Sequence, residues 1–189
     1  MNLIPINKST RLFNITNIFP DELIAKVLNL EWDKMQWVRG ELQEHWTRRH
    51  INADQHPVLQ EVSNCIWQCI EEIEQLCGVV FANKYPPTVW WYDEPGFDVT
   101  MHTDGHLPST MQLFWIAPSK EFATQFYEFK NLNSCISQLE FIPNSGYLML
   151  NMLDENGSQP LQWHAMLNKV PKNMFRVTSY TTFGTYENK

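Results

Sequence analysis

At 189 residues, 43% hydrophobic and 19% charged, the chain is long enough for one domain with a substantial core and short for two. Eight Trp and eleven Phe point to an aromatic, β-rich interior. A formal net charge of −7 argues against a broad phosphate-binding face and hence against a nucleic-acid partner, and no apolar run approaches the ~18 residues of a membrane span.

Residues 1–19 alternate weakly, with Leu12, Ile15 and Ile18 among Asn and Thr, which predicts an extended first segment. Phe19-Pro20-Asp21-Glu22 reads as a helix start, because proline fixes φ and two acids meet the positive end of the helix dipole. Leu23, Ile24, Val27, Leu28 and Leu30 supply the buried stripe. Residues 31–57 are polar, rich in Trp, Arg and His, and lack a clean period, so they read as an irregular connection. Within them residues 41–49 mix both signs as a solvated surface does, and His45, His50 and His56 are expected to be solvated. From Pro57, the recurrence of Val58, Leu59, Val62, Ile66, Ile70 and Ile73 predicts a helix, with Gly78 as its stop. Cys65, Cys69 and Cys77 fall on that helix and Cys135 stands alone; neither a zinc nor a disulfide spacing is present, so all four read as reduced thiols. Residues 1–20 lack the charged start and apolar stretch of a secretion signal, so a soluble cytoplasmic protein is expected.

After Gly78 come β-like runs at 79–81, 88–92, 97–102, 110–116, 125–129, 137–142, 146–151, 161–167 and 174–183. Helices followed by closely spaced strands predict a mainly β domain: one antiparallel sandwich or barrel at 79–185, supported by N-terminal helices within 1–78. Trp90, Trp91 and Trp115 read as core.

Three features carry chemistry. His102 and Asp104 are two apart, so on an extended segment both side chains leave one face, with Asp98 and Thr100, while Phe97, Val99 and Met101 take the other. His164 sits among Trp163, Ala165 and Leu167, where it reads either as a satisfied core residue or as a third ligand. His106 belongs to the loop after the His-x-Asp triplet. Two imidazoles and a carboxylate make a facial triad, which leaves the remaining positions of an octahedral Fe(II) open. Residues 168–173 are turn-like, so the last strand should return beside the His164 strand and bring Arg176 opposite it. A buried arginine needs an anion: either an Asp or Glu of the chain, or a dicarboxylate reaching down from a metal.

Taken in order, these residues resemble the Fe(II)/2-oxoglutarate-dependent dioxygenase superfamily, and within it the prolyl-hydroxylase-like branch. The resemblance rests on Tyr92-Asp93-Glu94-Pro95-Gly96-Phe97 followed by His102-Thr103-Asp104, on 109–117, on Thr124-Gln125-Phe126-Tyr127, on Asn144-Ser145-Gly146-Tyr147, on Trp163-His164 and on Arg176-Val177-Thr178. Residues 12–24 are similar to the family's opening strand and helix. It implies a double-stranded β-helix (jelly-roll) core with iron held by His102, Asp104 and His164. It also implies 2-oxoglutarate held by Arg176 with help from Thr178 and Tyr92. The implied activity is a hydroxylase acting on a peptide residue or small molecule, consuming O2, releasing succinate and CO2, and using ascorbate as reductant. The compact size suits a bacterial or bacteriophage enzyme. Thr182 stands where the nucleic-acid dealkylases of this superfamily show a second arginine. Two other readings remain at this point: a cupin-like metal protein with a different reaction, and a catalytically silent jelly roll.

Overall fold

The computed structural model describes residues 1–7, 11–39, 47–104, 109–150, 162–184 and 186–188. His45 and His106 lie outside the described residues. The chain opens with β1 (Asn2–Asn7) and β2 (Leu12–Thr16), an antiparallel pair, so the extended first segment is in fact two strands. Helix α1 (Asp21–Leu28) follows Pro20, with Asp21 and Glu22 in its first turn, Lys26 in its last, and Leu23 and Val27 buried. Strand β3 (Arg48–Asn52) precedes α2 (Pro57–Cys77).

Local chemistry fixes both ends of α2. His56 stands at its N-cap, where Nδ1 accepts a hydrogen bond from the Val58 amide at 3.2 Å, and Pro57 occupies the first turn. Gly78 ends the helix in the left-handed region at φ +67°, a conformation that costs glycine nothing. His56 is therefore a helix cap and not merely a solvated side chain. Leu59, Val62, Ile66, Ile70 and Ile73 form the buried face of α2, each contributing about 1.5–3 kcal/mol of burial. They pack with Trp90, Leu113, Trp115, Leu148, Val177 and Phe183 in one apolar cluster, so the helices lie against a sheet.

That sheet has seven strands in the order β1, β2, β10 (Ser145–Met149), β7 (Ser109–Ile116), β12 (Arg176–Gly184), β5 (Thr88–Asp93), β3. A second sheet has the order β6 (Val99–His102), β11 (Trp163–Met166), β8 (Gln125–Tyr127), β9 (Cys135–Gln138). All pairings are antiparallel. The sheets face each other through a second apolar cluster that joins Phe114, Tyr147 and Met149 of one to Phe126 and Met166 of the other. This is the expected jelly roll with flanking helices. At the C-terminus β13 (Tyr186–Asn188) pairs with β4 (Val79–Phe81) beside the larger sheet.

Two expectations are corrected. Residues 31–57 are not simply irregular: 48–52 form the edge strand β3, and His50 exchanges backbone hydrogen bonds with Val38 at 2.8 Å. Among the described residues, the first 78 thus add β1, β2 and β3 to the larger sheet as well as the α-helices α1 and α2. The second correction concerns the last strand, which does not return beside β11. Strand β11 pairs with β6 and β8, whereas β12 pairs with β5 and β7 in the opposite sheet. The connecting loop crosses between sheets and is tied down at Val170, which exchanges backbone hydrogen bonds with Gly96 and Phe97 at 2.8 and 2.9 Å. Arg176 consequently faces the histidines across the sandwich instead of lying next to them.

Strands β10 and β7 leave no room for a side chain at Gly146, where an added Cβ would lie 1.9 Å from the Gln112 carbonyl oxygen, inside backbone that cannot yield. Gly146→Ala should therefore destabilise the fold by at least about 1–3 kcal/mol, the usual cost of overpacking. A lowered midpoint in urea unfolding reads this out, and an unchanged midpoint would refute the contact.

Candidate metal centre

Strands β6 and β11 place the two histidines directly opposite each other, His164 against His102. Further along, Met166 pairs with Val99, so three steps of β6 match two of β11. This bulge overrides the alternation expected from sequence: Val99 and His102, assigned to opposite faces, both line one cavity. Asp104 follows two residues after the strand end. Its Oδ1 lies 3.6 Å from Nε2 of His102 and 3.4 Å from Nε2 of His164, and the imidazole centroids are 4.3 Å apart. One donor atom from each residue falls within 4.8 Å of the others. Side-chain exposure declines from 38% at His102 through 13% at Asp104 to 7% at His164, so the cluster opens on the His102 side.

Backbone carbonyls set the tautomer of both rings. Nδ1 of His102 lies 2.8 Å from the Thr100 carbonyl oxygen, and Nδ1 of His164 lies 3.0 Å from that of Gln162, each two residues upstream. A carbonyl only accepts, so each ring keeps a proton on Nδ1 and turns Nε2 toward Asp104, as a lone pair when neutral and as an N–H donor when protonated. Burial favours the neutral form of Asp104, but hydrogen bonding to both histidines more than offsets it and holds the carboxyl far below the usual range. The hydrogen bond to Asp104 raises His102 above its ordinary 6.5, against the opposing effect of burial. Two imidazole lone pairs and an ionised carboxylate suit a divalent first-row ion with open positions. Zinc accepts the same donors, so the rest of the cavity has to discriminate.

The cavity measures about 360 Å³ and is floored by the larger sheet. Two cross-strand rows build that floor. In one, Tyr147, Gln112 and Tyr180 are direct neighbours on β10, β7 and β12, and all three line the cavity. In the other, Asp93 on β5 has Arg176 opposite it on β12 and Arg48 opposite it on β3. Nη1 of Arg176 donates to Oδ2 of Asp93 at 2.6 Å, and its Nε donates to the Phe122 carbonyl at 3.0 Å. From the other side, Nε and Nη2 of Arg48 donate to Oδ1 and Oδ2 at 2.5 and 3.1 Å. Asp93 is fully buried behind the two guanidiniums, which both line the cavity. Burial pulls Arg176 below its usual range and Asp93 opposes that pull; a guanidinium keeps its proton regardless.

His102, Asp104, His164 and Arg176 thus share one cavity. Both partners anticipated for Arg176 remain relevant, because it holds Asp93 and still faces the open volume. Thr178 is fully buried and accepts a hydrogen bond from Nε2 of Gln112 at 3.3 Å, so Gln112 reaches the cavity where Thr178 was expected to. Tyr92 is not brought there. It neighbours Trp91 and Asp93 on β5 and therefore takes the other face of the strand, packed on Phe175 and Trp37 at centroid distances of 4.9 and 5.2 Å. Tyr147 and Tyr180 stand in the cavity instead. Trp91 is likewise a lining residue, stacked on Tyr180, whereas Trp90 and Trp115 are core. Arg48 had no readable signal, lying in a stretch without period.

Neither protein-family models nor curated proteins give a match to this chain. Solved structures do. A viral collagen prolyl hydroxylase from Paramecium Bursaria Chlorella virus-1, in complex with 2OG, superposes with TM-score 0.61 at 12% identity, covering 94% of this chain and 97% of that one. A prolyl-4-hydroxylase from Pseudomonas putida gives 0.62 at 11% identity, covering 93% and 94%. The non-heme alpha-ketoglutarate-dependent epimerase SnoN of nogalamycin biosynthesis gives 0.58 at 9%, covering 95% and 80%. At such identities the likeness establishes the shared fold. No helix among the described residues is long and apolar enough to cross a membrane.

The donor set predicts a pH dependence with a definite sign. In the metal-free protein the raised His102 contributes stability below its ordinary pKa, and that contribution is lost as pH rises through the folded value. The depressed Asp104 contributes above its ordinary 3.8 and is lost only as pH falls through its folded value. A metal must displace the His102 proton, so Ni(II) affinity should rise with pH, about tenfold per unit for one displaced proton, until that pKa is passed. Calorimetric titration between pH 5.5 and 8 checks the slope. Asp104→Ala binding Ni(II) as tightly as the parent would remove the site.

Proposed function

We propose that the protein is an Fe(II)- and 2-oxoglutarate-dependent oxygenase that oxidises a C–H bond, hydroxylating a peptide residue or a small molecule. The observation that carries this reading is the pair of buried guanidiniums facing a His-Asp-His cluster across one cavity. A metal hydrolase needs the three ligands but not the cationic wall that stands in front of Asp93. A dicarboxylate that chelates the metal at one end needs both.

In this reading His102, Asp104 and His164 hold the metal, and the metal with O2 and 2-oxoglutarate supplies the oxidising chemistry, yielding succinate and CO2. The chain's own residues bind, orient and exclude water. Thr100 and Gln162, through their carbonyls, keep Nε2 of each histidine available. Arg176 offers a fixed cation to the distal carboxylate. Burial keeps the Tyr147 and Tyr180 phenols protonated, well above their usual range, so both serve as neutral donors. Val99, Ala165 and Met166 add an apolar stretch to the lining, which strengthens the polar contacts beside it. The substrate enters from the open His102 side, as a peptide residue or a small molecule.

Succinate release from 2-oxoglutarate should require Fe(II) and O2 and should fail with Zn(II). His102→Ala and Asp104→Ala should abolish it. Arg176→Ala should keep metal binding but raise KM for 2-oxoglutarate about ten- to a hundredfold, the scale of a lost charge-assisted contact. Succinate formation by His102→Ala at the parent rate would overturn the assignment.

A further inference from the structure

Arg48 and Arg176 present two guanidiniums to a single carboxylate. Asp93 has both oxygens engaged, with Arg48 on one flank and Arg176 on the other. The row therefore carries one uncompensated positive charge. Arg48 is 5% exposed and Arg176 2% exposed, so water does little to screen it. The donors are not exhausted either. Arg48 spends Nε and Nη2 on Asp93 and lies over the rings of Trp91 and Phe97 at 4.1 and 4.2 Å; among the described residues no acceptor takes its Nη1. Arg176 spends Nε and Nη1, and among the described residues no acceptor takes its Nη2. Both side chains line the cavity that holds the His-Asp-His cluster.

Charge counting says what fits. A divalent ion with Asp104 and two neutral imidazoles leaves one positive charge at one end of the cavity. Arg48, Asp93 and Arg176 leave one at the other. A ligand with one carboxylate at each end neutralises both; a monocarboxylate leaves a buried cation uncompensated, which is costly.

We infer that Arg48 is a second cosubstrate-binding cation, acting with Arg176 on the distal carboxylate of the dicarboxylate, and that Asp93 is the positioning residue that holds the two guanidiniums together. This rests on the proposed 2-oxoglutarate reading and adds to it a residue from the edge strand β3.

The test is binding to the Ni(II)-loaded protein by calorimetry, with 2-oxoglutarate and with 2-oxobutanoate, which lacks the distal carboxylate. Arg48→Gln leaves Asp93 paired with Arg176. It should weaken 2-oxoglutarate about ten- to a hundredfold while leaving 2-oxobutanoate and Ni(II) affinity within about twofold. Arg48→Lys keeps the charge without the planar fork and should fall between, preserving the fold if the glutamine variant does not. Equal weakening of both ligands would mean a purely structural role and would overturn the inference, as would unchanged 2-oxoglutarate affinity in either variant. Parent protein that binds Ni(II) but not 2-oxoglutarate would overturn this inference and the proposed function together. Parent binding with unaffected Arg48 variants would overturn only the former.

Discussion

A carboxylate with no access to water is tolerable only when cations close around it, and Asp93 imposes that requirement on three strands at once. It closes β5, with β12 on one side and β3 on the other, each presenting an arginine at the directly opposed position. Slipping either pairing by one residue would turn its arginine to the far face and leave a buried charge unpaired. The ion row therefore helps fix register at this edge of the larger sheet. It also fixes where the cationic wall of the cavity stands relative to the second sheet.

The second sheet solves a different problem, the aim of two imidazoles. Cross-strand pairing brings His102 and His164 together, and carbonyls two residues upstream hold each ring by Nδ1. Neither ring is free to present the wrong nitrogen. Asp104 then completes a cluster whose members are prepared before any ion arrives, with the carboxylate ionised at the cost of its burial. The sandwich thus divides the cavity: one sheet carries the paired imidazoles, the other the two guanidiniums.

Much of this was legible in the sequence, and the failures have physical causes. Helix α2 was readable because five aliphatic side chains repeat at helical spacing between a proline and a glycine. The core strands were readable because short β-branched and aromatic runs alternate with turn residues. Strand β3 was not, since Arg48, Arg49 and His50 carry no apolar alternation and the strand is defined by its partners β5 and Val38. Arg48 disappeared with it. The placement of Arg176 beside His164 failed because a turn-like loop was taken as a hairpin, when Val170 anchors it as a crossover. Tyr92 was assigned to the cosubstrate through the resemblance alone, and the alternation of β5 turns it to the other face, into the partly buried ring packing beside the helical cluster. Tyr147 and Tyr180 could have been found only by knowing that they flank Gln112, which is a fact about register.

The extra residue in β6 makes strand length itself a carrier of functional information. With the bulge, Val99 and His102 share a face; straighten it while keeping both residues between them and ordinary pleating would send the imidazole to the opposite side with its chemistry intact and its target lost. A designer transplanting the triplet into another sandwich would have to copy the miscount along with the ligands.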